Sequence, residues 1–324
     1  MSAFLKTLDA VTQDDFDPAV ACWLARCSEK IYPINHSENE LVHEAHRLES
    51  MLIKWGFDHA QFFSGASTQC IVGVAEKHIV LCFRGTEPSS FRDIYDDLFA
   101  LPIQPPITKG MMHAGFWRAL HQVWKDANRA MLWPPSKPLP QTGLFSYLKK
   151  HRGVSSRKLW IAGHSLGGAL ATTAATRLLA EGLFKEQDIA AVYTFGQPRV
   201  GDARYSEQYE LTAKHFRLMH ANDIVTRVPP ASLKKLGKVT ESFLDIPLTD
   251  SWLHKLNYRH VGQLIIIRKG CECIMNPSRV QRIKIAFSER MRALQHGQGI
   301  VGKLMPGLGD HSMKKYRSVL EEMA

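Results

Sequence analysis

KLWIAGHSLGGALATTAATRLLA, residues 158–180, runs from a short apolar stretch into a long run of small residues, with Ser165 at the junction. The first part reads as a buried strand and the second as a helix closed by Gly182. Gly163, Gly167 and Gly168 crowd that junction. A plain connector needs one glycine at most; three indicate a backbone that bends sharply and is closely approached. Gly163-His164-Ser165-Leu166-Gly167 fits G-x-S-x-G, a string that chance supplies in roughly one of ten chains of this length. Its place on a strand-to-helix turn gives it weight, because such an elbow strains the serine backbone and lifts its hydroxyl above the sheet edge. Residues two before and two after must then be small. The competing reading, a glycine-rich phosphate cradle, lacks a lysine or an acidic ribose partner at the expected spacing.

Outward from this turn, strand-like and helix-like stretches alternate. QCIVGVAEK (69–77) and HIVLCFRG (78–85) read as a strand pair, and GFWRALHQVWKDANRAML (115–132) as an amphipathic helix. WPPSKPLPQTG (133–143) is a surface loop, LFSYLKKH a helix, and AAVYTFGQP, HFRLMHAND and GQLIIIRKGCECI three further strands. The near-continuous apolar runs suit a mostly parallel central sheet with helices on both faces, an α/β doubly wound architecture. A helix starts near Asp17-Pro18, a good cap pair. Residues 1–60 read as a helical extension packed on a single domain spanning 1–324.

Composition bounds the function. Of 324 residues 45% are hydrophobic and 22% charged, as in a globular chain able to bury a core. No apolar run reaches the length of a membrane span. MSAFLKTLDAVTQDDFDPA has no basic-then-apolar leader pattern, so cytoplasmic residence is the default expectation. The six cysteines show no zinc-type pairing and are expected to be reduced and mostly buried, with Cys271 and Cys273 at alternate strand positions. No metal or cofactor is implied. The net charge of +10 is concentrated late: from residue 251 onward 13 Lys/Arg face five Asp/Glu. No nucleic-acid-binding signature accompanies this excess, so nucleic acid is not an expected partner.

A serine hydroxyl is a poor nucleophile until a base takes its proton, and on this kind of sheet the partners follow in the order Ser, Asp/Glu, His. Asp223 comes just after the strand in HFRLMHAND and before Pro229-Pro230, which suits an orienting carboxylate. Asp188, Asp202, Asp245 and Asp250 read as caps or solvated charges. Among the later histidines, His254, His260, His296 and His311, spacing alone does not choose. His260 precedes a long strand and reads as a buried imidazole bonded to backbone; His311, in PGLGDHSMKKY, precedes a terminal helix.

FRGTE (83–87), HAGF (113–116), GHSLGGALA (163–171), TFGQPRVGD (194–202), ANDIVTRVPP (221–230), YRHVG (258–262) and DHSMKKY (310–316), in this order, resemble the class 3, fungal-type lipase family. The resemblance implies an α/β-hydrolase fold with a helical lid, and hydrolysis of carboxylic esters, typically acylglycerols. It implies Ser165 as nucleophile, Asp223 as acid and His311 as base. It also implies an oxyanion hole from Thr86 and the Leu166 amide, a placement that suits a helix N-terminus. His113 matches a family block without an assignable chemistry and is read as structural. Many members of the family are secreted and disulfide-bonded, whereas no leader pattern is visible here.

SSFRDIYDDLFALP (89–102) sets Phe91, Ile94, Tyr95, Leu98 and Phe99 on one face of a helix, and the resemblance makes that segment the lid. NPSRVQRIKIAFSERMRALQH (276–296) is also amphipathic, with Val280, Ile283, Phe287, Met291 and Leu294 opposed by arginines. It reads as a helix packed on the core with a solvated basic face, docking on anionic membrane being the alternative. The expected activity is a triacylglycerol lipase; the alternatives are phospholipase A1, short-chain carboxylesterase or a catalytically silent lipid-binding scaffold. The expected partners are an acylglycerol or other acyl ester, with transient contact at a lipid interface.

Overall fold

The computed structural model describes residues 2–11, 15–32, 38–85, 102–126, 142–153, 157–229, 257–295 and 309–324. Strands β1 (His59–Ser64), β2 (Gln69–Val74) and β3 (His78–Phe83) form an antiparallel meander. A short pair, β4 (Pro102–Ile103) and β5 (Met112–His113), stands apart. β6 (Lys158–His164), β7 (Ile189–Phe195), β8 (His215–His220) and β9 (Gln263–Arg268) then extend β3 in parallel, and β10 (Glu272–Met275) closes the far edge antiparallel. The order is β1-β2-β3-β6-β7-β8-β9-β10. Every residue of β3 and β7 is buried, as strands covered on both faces require.

Two helical layers provide the cover. Helices α1 (Ala3–Ala10), α2 (Pro18–Lys30) and α3 (Glu38–Lys54) lie on one face, later joined by the last helix of the chain. Helices α4 (Ala114–Trp124), α5 (Leu144–Arg152) and α6 (Leu166–Ala180) lie on the other. β6 shows the alternation that feeds both layers: Leu159 and Ile161 enter one core, Trp160 and Ala162 the other. The small residues of α6 let it press closely on the sheet. Its buried Thr172 and Thr173 hydroxyls donate to the Gly168 and Ala169 carbonyls at 2.9 and 2.8 Å, so no hydroxyl is left wanting.

The cap reading at Asp17-Pro18 holds, with the Asp17 carboxylate accepting from the Val20 amide at 2.8 Å. The N-terminal helices share one continuous core with the sheet: Phe16 packs on Phe216 and Tyr193, and the Tyr193 hydroxyl accepts from the Asp17 amide at 3.2 Å. α1, α3 and β1 were not distinguished in the sequence. The helix read over 115–132 stops at Trp124, because Lys125 turns extended and Asp126 is drawn to the start of α5, accepting from the Gly143 amide and the Ser146 hydroxyl.

Three short or late helices complete the chain: α7 (Ala203–Glu207), α8 (Arg279–Gln295) and α9 (Met313–Met323). GQLIIIRKGCECI is a hairpin, not one strand. Gly270 and Cys271 take positive φ of 81° and 59°, turning the chain back, so Cys271 lies in the turn and not on a strand. All six cysteines are free, four of them buried. A second correction concerns α8. The expected inward stripe of Val280, Ile283, Phe287 and Met291 faces water, and the helix instead buries Ile285 against Leu264 and Ile266. Periodicity reveals a stripe but not which way it points. Among the described residues no helix is long and apolar enough to cross a membrane.

Phe216 is fully buried where β8 meets the N-terminal layer. Phe216→Ala is expected to lower the unfolding free energy by about 3–5 kcal/mol, read from denaturant midpoints at constant slope.

Candidate active site

The site begins where β6 runs into α6. Ser165 caps α6 with φ 57° and ψ −125°, a conformation that an L-residue holds only when its surroundings impose it. The glycines are required by space. A Cβ on Gly163 would fall 2.1 Å from the Gly167 carbonyl oxygen, and one on Gly167 would fall 2.5 Å from the Phe83 carbonyl oxygen. The Ser165 amide donates to the Phe195 carbonyl at 2.9 Å, tying the elbow to the end of β7. The hydroxyl itself is fully buried and makes no hydrogen bond among the described residues.

Asp223 follows β8 by three residues and is fully buried. Its Oδ2 accepts from His311 Nδ1 at 2.8 Å and from the Tyr316 hydroxyl at 2.6 Å, while Oδ1 accepts from the Val225 amide at 2.9 Å. With its proton on Nδ1, the His311 ring carries its lone pair on Nε2, the form in which an imidazole accepts a proton. Gly196, the residue after Phe195, has φ 61°, and a Cβ there would sit 2.6 Å from Asp223 Oδ2 and 2.7 Å from His311 Nδ1. The Phe195–Gly196 peptide is thus bordered by the serine through its amide and by the acid–imidazole pair through van der Waals contact. Ser165, Asp223 and His311 converge at the C-terminal ends of β6, β7 and β8.

Tertiary hydrogen bonds, not local helix or strand, set His311. It ends a 3-10 turn, Gly309–His311. His220 Nδ1 donates to the Asp310 carbonyl at 3.0 Å, and the Asn222 amide donates to the Asp310 carboxylate at 3.3 Å. His164 Nε2 donates to the His311 carbonyl at 2.7 Å, and the two rings stack with centroids 4.5 Å apart. The other His164 nitrogen, Nδ1, then accepts from the Tyr32 hydroxyl at 2.6 Å. The residue before the serine therefore holds the backbone of the imidazole turn.

The remaining sequence candidates divide. Leu166 is the first residue of α6, where its amide has no partner within the helix and carries the positive end of the helix dipole. Gly85 lies against Ser165, since a Cβ there would be 3.1 Å from Ser165 Cβ. Thr86 and the lid residues Phe91, Ile94, Tyr95, Leu98 and Phe99 lie outside the described residues, as do Asp245, Asp250, His254 and His296. His260 is a half-buried imidazole donating to the Thr226 carbonyl at 2.7 Å. Asp188 and Asp202 are caps, accepting from the Lys185 and Tyr205 amides. His113 caps α4 and stacks on Phe116. Sequence reasoning missed Gly196, Tyr32, Asp310 and Tyr316. Gly196, Asp310 and Tyr316 lie inside blocks it quoted, but nothing local marks their contacts. Among the described residues no group of three or more His, Cys, Asp or Glu could hold a metal.

Electrostatics keep the acid charged. Burial works to raise the Asp223 carboxyl, but the His311 charge and hydrogen bond, the Tyr316 hydroxyl and the Val225 amide hold it below the usual carboxylate range. Burial pushes His164 down to about 3, helped by the neighbouring His311, and burial with the nearby Arg217 takes His215 to about 3 as well. An unfolded imidazole titrates near 6.5. As pH falls below that value, the unfolded chain binds protons that the folded chain refuses, so stability falls by up to about 1.4 kcal/mol per pH unit for each ring. Above about pH 7 this contribution is complete; the Asp223 contribution is lost only at lower pH, below the unfolded carboxylate value. Denaturant midpoints are expected to drop between about pH 7 and about pH 5, with a shallower slope in His215→Gln. A flat profile in the parent would contradict the burial of these rings.

Residues 80–233 match the profile of the class 3 lipases. Over 160 residues, 49% of this chain and 40% of the other, the sequence is 44% identical to a lipase of Caenorhabditis elegans. Over 171 residues, 52% of this chain and 39% of the other, it is 33% identical to a lipase of Rhizopus niveus. The chain spans about two fifths of the length of these curated relatives. Among solved structures, a fungal lipase in an inhibitor complex superposes with a TM-score of 0.52 over 90% of this chain and 93% of its own, at 19% identity, a likeness of fold alone. Elbow, sheet order and sequence matches agree: residues 80–233 match the class 3 lipase family, and the sheet is that of an α/β-hydrolase fold.

Proposed function

We propose that the protein is a serine carboxylic-ester hydrolase acting on acylglycerols, working through Ser165, His311 and Asp223. The observation that carries this reading is the Asp223–His311 pair, 2.8 Å apart and buried beside a serine whose backbone is strained on the elbow. Ser165 attacks the ester carbonyl as His311 Nε2 takes its proton. The tetrahedral oxyanion rests on the Leu166 amide and on Thr86. His311 then protonates the leaving alcohol, and water repeats the cycle to release the acid. Asp223 fixes the tautomer and stabilises the imidazolium, and Tyr316, donating to the same carboxylate oxygen, helps keep Asp223 ionised. The relatives named as lipases support the substrate class.

A fluorophosphonate probe is expected to label Ser165, and Ser165→Ala or His311→Ala to lower ester turnover by about 10⁴-fold or more. Labelling elsewhere, or unchanged turnover in either variant, would reject the assignment. Because Ser165 is fully buried, an ester reaches it only after the site opens. The amphipathic segment 89–102 is proposed as that cover, its apolar residues exchanging protein for lipid. Turnover of triglyceride is therefore expected to rise abruptly once substrate exceeds its solubility and forms an emulsion. A smooth saturation curve through that point would reject the lid.

A further inference from the structure

Helix α8 turns an apolar stripe to water. Val280 and Ile283 are each 61% exposed, Phe287 66% and Met291 43%. Their spacing of three or four residues puts them on one side of the helix, along about 16 Å of its length. Single exposed apolar side chains need no explanation, but four aligned on one face do. The opposite side is already engaged: Ile285 packs on Leu264 and Ile266, and Arg268 Nε donates to Glu289 at 2.7 Å. The stripe is thus surplus to what holds the helix on the sheet.

Charge identifies what covers it. Arg279 and Lys284 are exposed on the two flanks of the stripe, and neither makes an ion pair among the described residues. Glu289, the one acid in the helix sequence, is turned inward onto Arg268. A second copy of the chain would bring these cationic rims face to face, whereas an anionic lipid surface satisfies both the cations and the stripe. Direction matters too. The Asn276 amide donates to the Leu264 carbonyl at 2.7 Å near the start of β9, and Arg268 at its end grips Glu289, so α8 runs beside β9 in the same sense. Its later turns lead toward the edge of the sheet that carries Ser165, Asp223 and His311.

We infer that α8 is a membrane-docking helix, seating Val280, Ile283, Phe287 and Met291 in the interfacial layer of an anionic bilayer while Arg279 and Lys284, on either side of the stripe, meet lipid phosphates. What the docking serves rests on the ester-hydrolase reading; the docking itself is measured without turnover. The full chain carrying Ser165→Ala is sedimented with vesicles of phosphatidylcholine alone and of phosphatidylcholine mixed with phosphatidylserine. Partition is expected to favour the anionic vesicles and to weaken as salt is added. Ile283→Ser with Phe287→Ser is expected to lower partition about tenfold or more. Arg279→Gln and Lys284→Gln together are expected to lower it by about fivefold for each charge removed. Both sets are expected to keep the parent Tm, since the altered side chains face water.

Equal partition of the parent and both sets would overturn the inference. So would a concentration-dependent dimer in sedimentation that Phe287→Ser abolishes, which would assign the stripe to a second copy. A lowered Tm in Phe287→Ser with unchanged partition would assign it to another segment of the same chain, and overturn the inference equally. An inactive parent enzyme would leave every one of these readings in place, so the two failures are separable.

Discussion

The contact between Gly163 and Gly167 sets the geometry of the molecule. Strand and helix backbones meet there at a separation that a single methyl group would break. The contact turns the chain through the positive φ of Ser165 and brings α6 down along the sheet with its N-terminus at the serine. The same closeness seats Gly167 against the end of β3 and the Ser165 amide on the end of β7. The strands on either side of β6 are thereby referenced to one turn, and the Ser165 hydroxyl inherits the rigidity of the sheet.

The imidazole is fixed by a different device. His311 stands 88 residues beyond Asp223, on a single 3-10 turn with little intrinsic preference for its conformation. Position comes from three donors on two separate segments: His220 and Asn222 at and just past the end of β8, and His164 at the end of β6. α9 follows directly and returns Tyr316 to the same carboxylate that receives His311. The folding of the last helix and the alignment of the acid–imidazole pair are therefore one event. Tyr32, at the end of α2, extends this dependence to the N-terminal layer through His164.

The legibility of the sequence follows this division. The elbow could be read because crowding writes itself as glycine at fixed spacing, and Asp223 because a carboxylate just past an apolar strand has few other uses. The central strands were plain from their continuous apolar runs. His311 could not be separated from its rivals by local pattern, because its place depends on hydrogen bonds from residues far away in sequence; only resemblance to a family singled it out. Tyr316 looked like any core tyrosine of a terminal helix. His164 filled a variable position of the motif, and its two hydrogen bonds have no signature in composition. In α8 the periodicity was real and its direction was not readable, since the side facing the protein is held by one isoleucine and an arginine–glutamate pair.

The span shared with the family profile, residues 80–233, holds Ser165 and Asp223 but neither His311 nor Tyr316. It also omits β1, β2, β9, β10 and every helix of the layer formed by α1, α2, α3 and α9. Excised by itself, that segment would leave one side of its strands bare to solvent and Ser165 and Asp223 without the imidazole of His311. The part of the chain most easily recognised is thus not an autonomous folding unit, and its ancestry can be transplanted only together with both flanks.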